Sequence, residues 1–357
     1  MEKTTYEQWN RKPPRRRDAI SAFGAVIALL IAGGLIMAVL FPPIEGVKTG
    51  VPVSRKISTL NYPATISQSI GQPVGGTWLL PTSVAMIDGT KYVLDTGNNR
   101  ILALDSEGRL VGTLDGTSDP GLDLRQPMAI TTDGGSLFVA NALAGQIVVL
   151  NTAGSVQRVI SLETPPAGDT PRPIGVVVSP AGHIIVSDAN NHRVLILSNE
   201  GGRIGSFGTG TRTGGSQGLN VPGGLAVDAE GYIYVVDTLN GRVVKLSPEG
   251  EFIRDFASLA DTAGSLARPK GVAVDGKGRI FVSDGLQAAI EVFGPNGDYL
   301  GVIGRRDTSD PSAGSIFETP AGLTFDGERL VVVDGALGLI VLQLPVPAAY
   351  TGDKDGG

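Results

Sequence analysis

The stretch Pro222-Gly223-Gly224-Leu225-Ala226-Val227-Asp228-Ala229-Glu230-Gly231, with its continuation to Phe256, decides the fold. Gly224 to Val227 reads as a short apolar strand and Asp228 to Gly231 as a turn. Tyr232 to Asp237 reads as a second strand and Thr238 to Gly241 as a second turn. Arg242 to Ser247 is a third strand, and after Pro248-Glu249-Gly250 a fourth runs from Glu251 to Phe256. Short apolar runs rich in β-branched residues and bounded by Gly, Asn and Asp are strand and turn signals. Four such strands in one unit make an antiparallel blade.

The unit recurs. Its opening Pro-small-apolar step stands at Pro81, Pro127, Pro173, Pro222, Pro269 and Pro320, spaced 46, 46, 49, 47 and 51 residues apart. A period in this range predicts an all-β, six-bladed β-propeller. The sixth copy stops after three strands, at Leu344. The missing strand has its counterpart upstream, where Thr65-Ile66-Ser67-Gln68-Ser69-Ile70-Gly71 has the form of Gly202 to Gly208 and Asp298 to Gly304. The ring is therefore expected to close by an N-terminal strand, since an unpaired outer edge invites aggregation.

The sequence divides into a basic segment (1–19), an apolar span (20–41), a proline-bearing stalk (42–61), the propeller (62–345) and a polar tail (346–357). Ile20 to Phe41 holds 22 residues without a charge. As a helix this reaches ~33 Å, matching a hydrocarbon core of ~30 Å. Lys3, Arg11, Lys12, Arg15, Arg16 and Arg17 precede it, so the positive-inside rule places the N-terminus in the cytoplasm and the propeller outside. The expected localisation is the cell membrane, single-pass, with the bilayer contacted through residues 20–41.

The chain carries a net charge of −6, whereas residues 1–19 hold six basic and three acidic groups, leaving about −9 on the remainder. An acidic ectodomain lacks the basic footprint that nucleic acid requires. Cysteine is absent, which excludes disulfides and thiol chemistry.

The second turns carry the most specific signal. Asp95 to Arg100, Asp188 to Arg193 and Asp237 to Arg242 each place Arg five residues after Asp across an Asn- or Gly-bearing turn. Asp can accept backbone N–H groups while facing the returning Arg. The pattern Asp-x-x-Asn-x-Arg, with Gly271-Val272-Ala273-Val274-Asp275 and Asn191-His192-Arg193-Val194, resembles the NHL repeat family over roughly residues 65–345. Copies two, five and six depart from it with Gln146, Ala289 and Leu339 in the Arg position, and these blades should lack the Asp–Arg contact.

The resemblance implies six blades and a platform for interaction. RNA-binding and ubiquitin-ligase-associated members, sensor domains of membrane kinases and a copper- and zinc-dependent lyase are similar. Residues 1–19 hold no kinase domain. The two histidines, His183 and His192, cannot form a three-His metal site. The expected role is a membrane-tethered scaffold or recognition module for an exported or membrane protein, a peptide or an envelope component. Asn99, Arg100, His192, Arg193 and Arg242 are its candidate binding residues. No catalytic residue and no cofactor are expected, and the reading leans against an enzyme. The alternative is a Ca²⁺-dependent hydrolase like the six-bladed lactonases and phosphotriesterases, whose hard-cation site is built from carboxylate and amide oxygens. Asp88, Asp133, Asp228, Asp275 and Asp326 recur with the blade period, which favours a structural role for them.

Overall fold

The computed structural model describes residues 62–71, 77–258, 262–305 and 316–345. The expected membrane span, basic segment, stalk and polar tail lie outside the described residues. Among the described residues no helix is long and apolar enough to cross a membrane.

Six four-stranded antiparallel sheets follow one another. Blade 1 is β2 (Pro81–Ile87), β3 (Thr90–Asp95), β4 (Arg100–Leu104) and β5 (Leu110–Leu114). Blade 2 is β6 (Pro127–Thr132) to β9 (Val156–Ser161), blade 3 is β10 (Pro173–Val178) to β13 (Arg203–Phe207), and blade 4 is β14 (Pro222–Val227) to β17 (Phe252–Phe256). Blade 5 is β18 (Pro269–Val274) to β21 (Tyr299–Ile303). Blade 6 takes β22 (Pro320–Asp326), β23 (Arg329–Asp334) and β24 (Gly338–Gln343), and its outer strand is β1 (Thr65–Ile70). Thr65 pairs with Gln343 and Ile70 with Leu339, so the N-terminal strand closes the ring.

Burial follows from blade-on-blade packing. The second strands of blades 3, 4 and 5 are buried at every position, because both of their faces meet a neighbouring blade. Outer strands such as β13 are largely exposed. The core is correspondingly six seams rather than one centre. One seam joins Leu94, Ile101 and Tyr92 of blade 1 to Leu137, Val139 and Leu150 of blade 2. The seam that completes the circle joins Ile70, Val331, Val333 and Leu339 of blade 6 to Val84, Val93 and Leu102 of blade 1. Each fully buried aliphatic side chain contributes about 1.5–3 kcal/mol, so a broken seam costs several such terms.

The Pro-x-Gly step explains itself in the ring. Each inner strand begins at its Pro rather than two residues later, with a register shift just after it. Pro lacks an N–H and is tolerated at a strand start or bulge. In blades 3 to 6 the glycine two residues on faces the next blade. A β-carbon on Gly175 would stand 2.5 Å from the Gly223 carbonyl oxygen, and one on Gly322 would stand 2.5 Å from that of Thr82. Ser187 Oγ donates to the same Gly223 oxygen at 2.7 Å. We call the end of the channel where inner strands begin the upper end. The second turns and the inter-blade crossings lie on that face, and the first and third turns of each blade lie on the lower face.

Candidate functional site

In blades 1, 3 and 4 the second turn is an Asp–Asn–Arg clamp. In blade 3, Asp188 Oδ1 accepts the Arg172 N–H at 2.9 Å, while Oδ2 accepts Asn191 Nδ2 at 2.7 Å and Arg193 Nε at 3.0 Å. Asp237 does the same for Asn220 N, Asn240 Nδ2 and Arg242 Nε. Asp95 holds Leu79 N, Asn98 Nδ2 and Arg100 Nε. The Arg then reaches on to the preceding crossing, Arg193 to Glu163 O and Arg242 to Gly215 O and Gly218 O, with Asp255 also on Arg242. The clamp thus ties three segments of one blade together at the upper face.

In blades 2, 5 and 6 no such Asp–Arg pair forms among the described residues. Asp284 instead accepts Ala267 N and Arg268 N on Oδ2, and Leu286 N and Gln287 N on Oδ1. Asp334 accepts Glu318 N, Thr319 N, Ala336 N and Leu337 N. In blade 2 the position is Asn141, which accepts Arg125 N and donates to Asp123 O.

Of the residues singled out from the sequence, Arg100, Arg193 and Arg242 belong to these clamps. Asn99 and His192 do something the sequence did not suggest. Both sit at left-handed φ, 50° and 47°, and each accepts an N–H from the next blade. Gln126 N donates to Asn99 Oδ1 at 2.8 Å, and Val221 N donates to His192 Nδ1 at 3.0 Å. Gln126 and Val221 are themselves left-handed, at 50° and 56°, a strained state for β-branched valine. These bonds are inter-blade struts holding the residue before each inner-strand proline. Burial first, and then Arg212, push the His192 pKa below the ordinary histidine value, so the acceptor stays neutral.

At the upper end Arg172 and Lys270 have no carboxylate in contact among the described residues. Arg172 is only 8% exposed, its Nη2 donates to Gln126 Oε1 at 3.2 Å, and its Nε has no acceptor. Burial lowers its pKa, yet a guanidinium stays charged. Lys270 follows Pro269 at the start of β18. In blade 1 the matching positions are Thr82 and Thr96, whose hydroxyls touch at 2.6 Å. In blade 5 they are Lys270 and Gly285, and a β-carbon on Gly285 would stand 2.6 Å from Lys270 Cε and 2.9 Å from Nζ. The missing side chain makes a niche for the lysine. Among the described residues Nζ makes no hydrogen bond and no ion pair. Burial, then Arg268, hold its pKa below the usual lysine value, against the attraction of Asp334 and Asp284. Neither Arg172 nor Lys270 is among the residues singled out from the sequence. A signal existed, since Lys270 is the one charged residue among Thr82, Met128, Ile174, Gly223, Lys270 and Ala321.

The lower end holds an open cavity of ≈ 500 Å³ lined by Asp133, Ser179, Pro180, Asp228 and Ala229, among others. Its carboxylates close their own turns. Asp133 accepts Gly135 N and Ser136 N, and Asp228 accepts Tyr232 N and Tyr234 Oη. Asp275 is likewise held by Lys277 N and by Arg279. Among the described residues no group of three or more His, Asp or Glu could hold a metal ion. Among the described residues no Ca²⁺ site made of carboxylates alone is formed.

The NHL repeat family is matched by residues 170–197, the first part of blade 3 with its clamp. No curated protein matches the sequence. Among solved structures, virginiamycin B lyase from Staphylococcus aureus is similar at 15% identity and a TM-score of 0.56, over 79% of this chain and 100% of that one. A gluconolactonase from Xanthomonas campestris is similar at 20% identity and a TM-score of 0.57, over 83% and 99%. A protein of unknown function from Bacteroides thetaiotaomicron is similar at 16% identity and a TM-score of 0.60, over 81% and 76%. These likenesses concern the fold, and function resides in sites grafted on it. They do correct one expectation, the leaning against an enzyme. Propellers of this shape include lyases and a gluconolactonase, so the fold gives no ground for leaning against an enzyme. The chain is a six-bladed β-propeller with an NHL-repeat match over residues 170–197, similar in fold to lyase and lactonase propellers.

Proposed function

We propose that this chain is a membrane-tethered, extracytoplasmic propeller that recognises an envelope component at the upper end of its channel and hydrolyses an ester or lactone bond in it. The observation that carries the reading is Lys270, a half-buried amine in a niche opened by Gly285, with no ion pair or hydrogen bond among the described residues. An amine whose proton affinity is lowered by burial is suited to general-base work near neutral pH. The fold shared with a lactonase supports the reaction class, and the uncharged span 20–41 supports the tether.

In the step proposed, Nζ takes a proton from water as the water oxygen bonds to the acyl carbon. The carbon–oxygen bond to the leaving alkoxide then breaks, and the ammonium returns its proton to that alkoxide. Ester and water become acid and alcohol, with no resident metal in the step. The test is turnover of small lactones and acyl esters by the full chain, with chelator present. Lys270→Met should reduce kcat at least ~100-fold, the scale of a general base. Turnover that Lys270→Met leaves intact, or that chelator abolishes, would refute the mechanism.

A further inference from the structure

The large exposed hydrophobic residues are not scattered. Leu79, Leu80, Leu143, Leu239, Leu286 and Leu337 are 39–69% exposed, and all lie on the upper face. Leu143, Leu239, Leu286 and Leu337 sit in the second turns of blades 2, 4, 5 and 6. Blade 1 has Gly97 in that turn, and a β-carbon there would run into Leu79 Cγ, so the crossing leucine covers the tip that lacks one. Only blade 3, with Asn190 in its turn, presents no leucine. Turns ordinarily take Gly, Asn and other polar residues, and an apolar set that recurs on one face marks an interaction surface. The other large hydrophobics as exposed as these, Ile66, Val111, Val159, Ile204 and Ile253, lie in outermost strands. Among the described residues the lower turns present none. Each blade instead shows an exposed acid there: Glu107, Asp133, Glu200, Glu230, Asp298 and Glu328.

The arrangement selects the occupant. The leucines stand on separate blades around a ring and line no single groove, so a short peptide or a small ligand would meet one or two of them, whereas a flat apolar layer meets them all. A lipid surface is such a layer, and apolar side chains enter it at the boundary of headgroups and acyl chains. The acids of the lower turns disfavour that face against an anionic headgroup layer. Proximity to lipid follows from the reading of residues 20–41 as a tether, on which this argument rests for proximity alone. Thr65 stands at the lower end, opposite Gln343. The 23 residues from 42 to 64 reach up to ~80 Å when extended, about four strand lengths, so entry at the lower end leaves the upper face free to meet a bilayer.

We infer that the upper face docks on a lipid bilayer, with the leucine rim inserted at the acyl boundary and the channel end that holds Lys270 opening onto the lipid. The envelope component met at that end is then a lipid. Docking does not depend on the hydrolytic step.

Because the chain has no cysteine, single cysteines can carry a fluorophore at chosen sites. The full chain is reconstituted in phosphatidylcholine vesicles with a nitrobenzoxadiazole label on Leu286→Cys, Leu143→Cys, Glu230→Cys, Glu328→Cys or, within the expected span, Ala32→Cys. Brominated phosphatidylcholine quenches a label that enters the acyl region. Quenching should be at least about threefold stronger at Leu286 and Leu143 than at Glu230 and Glu328, since docked side chains reach ~5–10 Å into the boundary. With the label on Leu286→Cys, the pair Leu239→Ser and Leu337→Ser should lower quenching at least about twofold, and the outer-strand pair Val111→Ser and Ile204→Ser should leave it unchanged. A melt of each variant checks folding. Equal quenching on the two faces, or none at Leu286 and Leu143 in folded protein, would overturn the lipid contact. A blue-shifted label that bromine does not quench would also overturn it, and would assign the leucines to a protein partner. Quenching at Leu286 and Leu143 with none at Ala32 would refute the tether and leave the lipid surface standing.

Discussion

Blades 1, 3 and 4 differ from blades 2, 5 and 6 in how they hold one buried polar side chain, and the difference separates a side chain met by a full cation from one met mainly by backbone groups. In the first group an Arg on the third strand neutralises the Asp and reaches the crossing segment, so charge is closed within the blade. In blades 5 and 6 the acid is held by four backbone N–H groups, which supply hydrogen bonds without a full positive charge. Lys270 lies between these two blades and feels both acids without touching either. Blade 5 also contains a buried acid, Glu291, paired with Arg305.

The largest expected effect concerns blade 6, which alone borrows a strand. Deleting residues 62–71 removes β1 from β24 and Ile70 from the seam with blade 1. The loss should exceed ~4 kcal/mol, the range reserved for broken cores and networks, and the melt should lose cooperativity. Equal denaturant midpoints for truncated and intact protein would show that the seam holds without its outer strand.

Next in size is the acid itself, tested in both groups. Asp188→Ala strands the Arg193 guanidinium, only 7% exposed, and should cost about 3–5 kcal/mol. Asp334→Asn leaves no stranded cation and keeps one acceptor, as Asn141 does in blade 2, so its cost should be about 1–2 kcal/mol. Urea unfolding of the two variants decides the matter, and similar costs would dissolve the distinction between the groups.

The strut from His192 to Val221 is a smaller term with a pH signature. Its folded pKa is depressed by burial, so the unfolded chain binds the proton more readily. Stability should be full above the ordinary value near ~6.5 and decline as pH falls below it. His192→Ala should cost about 1 kcal/mol at neutral pH, and His192→Asn, the arrangement at Asn99, should restore the bond and flatten the acid side of the profile. A wild-type profile with no decline between pH 7 and 5 beyond that of His192→Asn would rule the strut out as a titrating contact.

The last contrast separates the crowded channel end from the outer turns, and its second half is the smallest effect of all. Gly322→Ala brings a β-carbon against the Thr82 carbonyl and should cost about 1 kcal/mol, the low end for an overpacked site, whereas Gly276→Ala meets nothing within 4 Å and should be close to neutral. Matching melting temperatures for the two would mean that the inner strands have room to spread.

The architecture is legible in the chain because it is written locally and six times. Strand runs, turns and the opening proline fall at a regular period, and the unfinished sixth copy points to Thr65–Ile70 as its completion. Inner strands start two residues earlier than the apolar pattern predicts, since the bulge after each proline has no mark in that pattern. The clamp is legible for the same reason as the blades: Asp237 and Arg242 lie five residues apart across one turn.

What the tertiary structure decided are the contacts between blades. The bond from Val221 to His192 crosses 29 residues and that from Arg172 to Gln126 crosses 46, and no local spacing encodes either. Whether a charged side chain is paired depends on which groups the neighbouring blades bring to it. Arg193 and Arg172 are both buried arginines of blade 3, yet one neutralises an acid and the other meets only an amide. The leucine rim is likewise invisible along the chain, because its members are 47 or more residues apart in most cases and come to share one face only when the ring closes.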